Sequence, residues 1–131
     1  MFQGIDHVVI AVADLQRGIE QYEAIFGVDV SRTGEPPGAG FKNAYFDFEH
    51  SQVELVSPTD DKGPVGRRIA ASGEGVYLMA MRVDDVDATV NELRAKGVRL
   101  IGDPGEGNPV QGQVFVHPAA SGGVLLQITG G

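Results

Sequence analysis

The sequence predicts an α+β fold made of two tandem βαβββ modules. They join as a curved, mixed eight-stranded sheet around a concave cup, with the helices outside. Three observations carry this. GIDHVVIAVADLQRGIEQYEAIFGVDV (residues 4–30) has an echo in GVYLMAMRVDDVDATVNELRAKGVRL (75–100). Each copy reads strand, helix, then a helix-ending glycine, and each is followed by a short strand, a Gly/Pro-rich loop and two further strands. A unit with one helix covers only one face of its four strands, so two units side by side bury the rest.

The first strand is GIDHVVIAV. Alternation puts Ile5, His7, Val9 and Ala11 on one face and Val8, Ile10 and Val12 on the other. The uniformly apolar set suits the helix-packed side, so the His7 set faces the cup. Asp14 caps the first helix through its carboxylate. Leu15, Ile19, Tyr22 and Phe26 follow at helical spacing, Gly18 is a mild cost, and Gly27 ends the helix. A short strand follows over Val28–Arg32, then the loop EPPGAG and the strands NAYFDF and QVELVS.

A two-residue turn at Glu49–His50 puts Asn43, Tyr45 and Asp47 on the face of Gln52 and Glu54. The module ends near residue 58. A polar linker, about 59–74, contains Pro64–Ala71, which suits one or two helical turns. The second module, about 75–131, opens with the strand led by Gly75. Asp85 caps a helix marked by Val86, Val90 and Leu93 and ended by Gly97, and Asp84, Asp85 and Asp87 favour its dipole. VRLI, the loop GDPGEGNPVQG, QVFVH and GVLLQIT complete the chain. All 131 residues read as one domain. By repeat alignment, Leu78 corresponds to His7 and Gln127 to Glu54, so these four positions converge on the cup.

A formal charge of −8 without a basic run argues against nucleic acid as a partner. The absence of cysteine excludes disulfides and thiolate chemistry. No segment is apolar for long enough to span a bilayer, and no signal peptide is recognisable, so the expectation is a cytoplasmic protein with no membrane partner. GAG and GEG are turns rather than dinucleotide fingerprints, since neither lies between a strand and a helix. His50 falls in a turn open to solvent, and His117 precedes Pro118 in a loop.

GIDHVVIAVADL, VELVSP, GPVGRRIAASGEG, VDDVDATVNELRAKGVRLI and VHPAASGGVLLQI run in an order that resembles the vicinal oxygen chelate superfamily. That superfamily holds glyoxalase I, bleomycin-resistance proteins, extradiol dioxygenases and methylmalonyl-CoA epimerase, and the epimerase branch is the most similar. The resemblance implies one divalent metal ion in the cup (Co, Ni, Zn, Mn or Mg, not distinguishable) held at the four repeat-related positions. His7 and Glu54 match that pattern. Leu78 stands where a second histidine is expected, Gln127 replaces a glutamate, and Ala119 replaces a lysine after the His-Pro pair. Lys42 and Asn43 occupy the region of the family's second carboxylate.

The resemblance thus implies His7, Glu54 and Gln127 as metal ligands in a partly lost site, and Asn43, Tyr77, Leu78 and Phe115 as substrate contacts. Tyr45, Asp47 and a metal-bound water are the catalytic candidates, because a glutamine cannot serve as a general base. Arg67 and Arg68 either meet an anionic tail such as a CoA phosphate or form a solvated face. The implied activity is that of an isomerase or lyase acting on a small oxygenated substrate, such as an acyl thioester. A homodimer is expected by analogy. Two bland readings stand beside these. His7 and Glu54 form an ion pair in a vestigial site, or the protein is a metal-free small-molecule binder similar to bleomycin-resistance proteins.

Overall fold

The computed structural model describes residues 1–131. The strands are β1 (Phe2–Ala11), β2 (Arg32–Gly34), β3 (Phe41–Asp47), β4 (Gln52–Pro58), β5 (Gly75–Val83), β6 (Leu100–Ile101), β7 (Val114–Val116) and β8 (Leu126–Thr129). The helices are α1 (Leu15–Phe26), α2 (Pro64–Ser72) and α3 (Val86–Ala95), with a 3-10 turn at Pro118–Ala120. The strands hydrogen-bond in the order β2-β3-β4-β1-β5-β8-β7-β6, a mixed eight-stranded sheet. The α+β class read from the repeat is therefore present.

The chain divides into two compact units, His7–Tyr77 and Met1–Asp6 with Leu78–Gly131. These boundaries differ from the sequence-read modules in two respects. The linker belongs with the first unit because α2 packs against β4. The first six residues belong with the second, where the backbone N–H of Asp84 donates to the Met1 carbonyl (3.3 Å) and Arg82 pairs with Asp6 (3.3 Å).

In the His7–Tyr77 unit, β1 runs parallel to β4 with Val9 opposite Glu54 and Ile10 opposite Leu55. β3 is antiparallel to β4, with Tyr45 opposite Glu54 and Asp47 opposite Gln52. Opposed residues share a face, so this register fixes which side chains meet. Ile10, Val12, Ala44, Phe46, Val53 and Leu55 pack with Leu15, Ile19, Tyr22 and Phe26 of α1. Phe46 is fully buried and meets Phe26 edge-on at 5.4 Å. Truncating such a ring costs about 3–5 kcal/mol. The predicted cap is present: Asp14 Oδ1 accepts from the Arg17 backbone N–H at 2.9 Å. The Phe48 N–H donates to the Ser51 carbonyl at 2.9 Å, which closes the expected two-residue hairpin around Glu49–His50.

In the other unit, Val83, Val114, Val116 and Ile128 pack with Val86, Val90 and Leu93 of α3. Asp85 Oδ1 accepts from the Ala88 N–H at 3.0 Å, as its cap position implies. β5 runs parallel to β8, with Ala80 opposite Gln127.

Several edges fall elsewhere than the periodicity suggested. β2 occupies Arg32–Gly34, not Val28–Arg32. Glu23 Oε2 takes the Val30 N–H at 2.9 Å, which holds that stretch against the end of α1, and pairing with β3 starts at Arg32 opposite Tyr45. β8 begins at Leu126 rather than Gly123, because the chain first makes the 3-10 turn, which is capped by His117 Nδ1 accepting from Ala119 N–H at 2.9 Å. α2 is longer than one or two turns, at nine residues.

Candidate functional site

The alternation of β1, β3 and β4 collects a polar group on the sheet face opposite α1. Glu54 is 8% exposed and Asn43 6%. A carboxylate this deep needs partners, since an unpaired one costs several kcal/mol. Glu54 has three. Asn43 Nδ2 donates to its Oε2 at 3.1 Å. His7 Nε2 lies 3.7 Å from its Oε1. The Tyr45 hydroxyl is also hydrogen-bonded to it. Asn43 Nδ2 further donates to the Tyr45 oxygen at 3.3 Å, so one amide orients both groups.

Tyr45 is itself held in place. The Arg32 guanidinium sits over its ring at 4.0 Å. That guanidinium also pairs with Asp47 at 2.6 Å, and Gln52 Nε2 donates to the other Asp47 oxygen at 2.8 Å. Burial, and then the negative charge of Glu54, raise the Tyr45 phenol above its ordinary pKa. The hydroxyl is therefore a neutral donor at physiological pH.

Of the residues singled out from sequence, the structure gathers His7, Asn43, Tyr45 and Glu54 into one cluster and puts Asp47 at its edge. Leu78, Phe115 and Gln127 lie in the other unit. There, Leu78 and Gln127 share a sheet face, opposite the α3 side, and Leu78 is buried. Phe115, opposite Gln127 in the β7–β8 register, shares that face. Strand alternation sends Tyr77 to the other face of β5 from Leu78. It stands near α2, where burial raises its phenol pKa against the opposing charges of Arg67 and Arg68. His50 is exposed, as its turn implied.

Arg32 and Gln52 were not singled out, although both orient the cluster. Gln52 was legible as sharing the Glu54 face, but Arg32 depended on the β2 register, which the sequence misplaced.

The donors were weighed against the divalent ion that the resemblance implies. No group of three or more His, Asp or Glu side chains is arranged to hold a metal. His7 and Glu54 offer one imidazole nitrogen and one carboxylate, and the third expected ligand, Gln127 in the other unit, offers only a neutral amide oxygen, where transition-metal sites take three or four strong protein ligands. Leu78 offers none. This donor set falls short of a metal centre, and no step below runs through one. No helix is long and apolar enough to cross a membrane.

Residues 6–115 match the family model of the Glyoxalase/Bleomycin resistance protein/Dioxygenase superfamily. The chain is similar to the mitochondrial methylmalonyl-CoA epimerase of Dictyostelium discoideum, 32% identical over 130 residues that cover 95% of this chain and 76% of that protein. The crystal structure of methylmalonyl-CoA epimerase from Mycobacterium tuberculosis superposes with a TM-score of 0.82 at 32% identity, covering 97% of this chain and 87% of that one. A methylmalonyl-CoA epimerase in complex with methylmalonyl-CoA and NH4+ gives a TM-score of 0.82 at 34% identity, over 98% of this chain and 94% of that one.

Proposed function

The chain belongs to the glyoxalase/bleomycin resistance protein/dioxygenase superfamily, and from that premise we propose that it is an isomerase-like enzyme of acyl-CoA thioesters. It moves the proton on the carbon next to the thioester carbonyl. The observation that carries this reading is the buried Glu54 carboxylate ringed by Asn43, Tyr45 and His7, in a chain similar over nearly its whole length to methylmalonyl-CoA epimerases.

The chemistry follows from those groups. Glu54 takes the α-proton: the C–H bond breaks, an O–H bond forms on the carboxyl, and the electron pair moves to the thioester oxygen as an enolate. Once Glu54 carries the proton it holds its donors less strongly, and the neutral Tyr45 hydroxyl that was bonded to it can turn to that developing charge. Return of that proton from the carboxyl to the α-carbon breaks the O–H bond, restores the thioester carbonyl and completes the exchange. A positioned general base of this kind contributes about 10²–10⁴ in rate.

The test is exchange of the α-proton of methylmalonyl-CoA in D2O, followed by NMR. The wild-type protein is expected to exchange it, and Glu54→Gln to lose about 10² or more of that rate while staying folded. Equal exchange by Glu54→Gln removes Glu54 as the base. A second reading, a metal-free binding protein, is favoured by one observation: Leu78 puts a buried apolar side chain at a position where the repeat matches it to His7. Saturable thioester binding with no exchange above buffer selects that reading.

A further inference from the structure

An acidic protein that takes a CoA thioester must meet several phosphate charges with the cations it has. Of its ten Lys and Arg side chains, Arg17, Arg32, Arg82, Arg94 and Lys96 are paired with carboxylates. Lys42, Lys62, Arg67, Arg68 and Arg99 are not. Three of these five fall in residues 62–68, at the start of α2, and α2 packs against β4, the strand that carries Glu54.

The Arg68 guanidinium is built into this place. Its Nη1 donates to the Val76 carbonyl at 2.8 Å. Its Nε is buried without a hydrogen-bond partner, the only such side-chain atom in the protein. Gly75, at φ +148°, leaves the space the guanidinium uses: a Cβ there would meet Nη2 at 3.2 Å. Arg67 next to it is exposed, and the phenol of Tyr77 feels both positive charges. Of the acids around this segment, Asp60 is held in its own loop, where Oδ1 accepts from the N–H groups of Lys62 (2.9 Å) and Gly63 (2.8 Å), and Glu74 pairs with Arg17 (3.6 Å), while Asp61 adjoins Lys62. The exposed guanidinium fork of Arg67, next to a second guanidinium that is held in place, is the chemistry that recognises phosphate.

We propose that Arg67 and Arg68, with Lys62, form the subsite that reads the nucleotide phosphates of a CoA thioester. This rests on the acyl-CoA reading above, and it adds where substrate selection for the carrier resides. Thioesters on a short pantetheine arm then bind weakly, whereas the same acyl group on CoA binds well.

The experiment is calorimetric titration with propionyl-CoA, propionyl-pantetheine and adenosine 3′,5′-bisphosphate, at low and at high salt. Propionyl-CoA is expected to bind at least about tenfold tighter than propionyl-pantetheine, with the gap closing as salt rises. Arg67→Glu, an exposed change, is expected to erase the gap without altering the thermal midpoint. Arg68→Lys is expected to narrow it while keeping a cation at the Val76 carbonyl. Equal binding of both thioesters, or a gap that survives Arg67→Glu in folded protein, overturns the subsite and leaves the thioester reading standing. Arg67-dependent binding of the bisphosphate with no binding of propionyl-pantetheine at any concentration supports the subsite and counts against the thioester reading. No binding of any of the three probes overturns both.

Discussion

Asn43 Nδ2 stands 3.1 Å from Glu54 Oε2 and 3.3 Å from the Tyr45 oxygen, so a single amide group ties the buried carboxylate to the phenol beside it. Its two hydrogens are directed at the two groups whose charge states matter most in the cluster. Asn43 thus works as a clamp on the pair.

The clamp is measurable through stability. Asn43→Leu fills the space yet leaves Glu54 Oε2 without that donor. A buried acceptor stripped of its donor costs about 1–3 kcal/mol. Urea denaturation is expected to show a loss in that range, and the double variant Asn43→Leu with Glu54→Leu to recover much of it. A neutral single variant means that water replaces the amide and the clamp is idle.

Alkaline pH probes Tyr45. Its phenol is raised above the ordinary 10.0, first by burial and then by Glu54. A raised pKa means that the folded state favours the protonated phenol. That stability is complete below pH 10 and fades as pH climbs through the folded value. Tyr77 shifts the same way, again by burial. Phenolate absorbance is expected to appear late in the titration, and Tyr45→Phe to remove part of the alkaline loss. Tyr45 ionising at or below its ordinary value contradicts the buried, Glu54-facing placement.

Acid pH probes the other unit. Asp103 accepts from Arg94 Nε at 2.9 Å and also from Nη2 of the same guanidinium. That fork, followed by the Gly105 N–H, lowers its carboxyl from 3.8 to about 2. The sign is the usual one for an acid. The contribution is present above pH 3.8 and is lost as pH falls towards 2. Asp103→Asn is expected to flatten the stability profile over that window and to leave the alkaline limb alone. A profile unchanged between the two proteins denies the ion pair.

Metal content tests the donor set. Protein purified without chelator is expected to hold far less than one equivalent of Co, Ni, Zn, Mn or Mg, and added Co or Zn to leave its thermal midpoint in place. Ligands bound to the folded state alone raise stability by mass action, about 2.7 kcal/mol at a hundred times Kd. A midpoint that rises with metal, and ceases to rise in His7→Ala and in Glu54→Ala, reverses this conclusion.

Much of this was legible in the order of residues. Period-two alternation put His7, Asn43, Tyr45 and Glu54 on one side of three strands, because a strand has only two faces. Asp14 and Asp85 announced their helices, since free N–H groups at a helix start need an acceptor. Membership of the superfamily showed in motifs spread along the whole chain. The sequence could not show that Arg32 stacks on Tyr45, that Arg68 reaches the Val76 carbonyl, or that Asn43 serves two oxygens at once. Those contacts depend on where β2 enters the ladder and on how α2 settles on β4. Such placements arise from packing between segments far apart in the chain, where a shift of one residue exchanges one face for the other. Sequence therefore determined the faces and the family, and only the tertiary structure decided which side chains became partners.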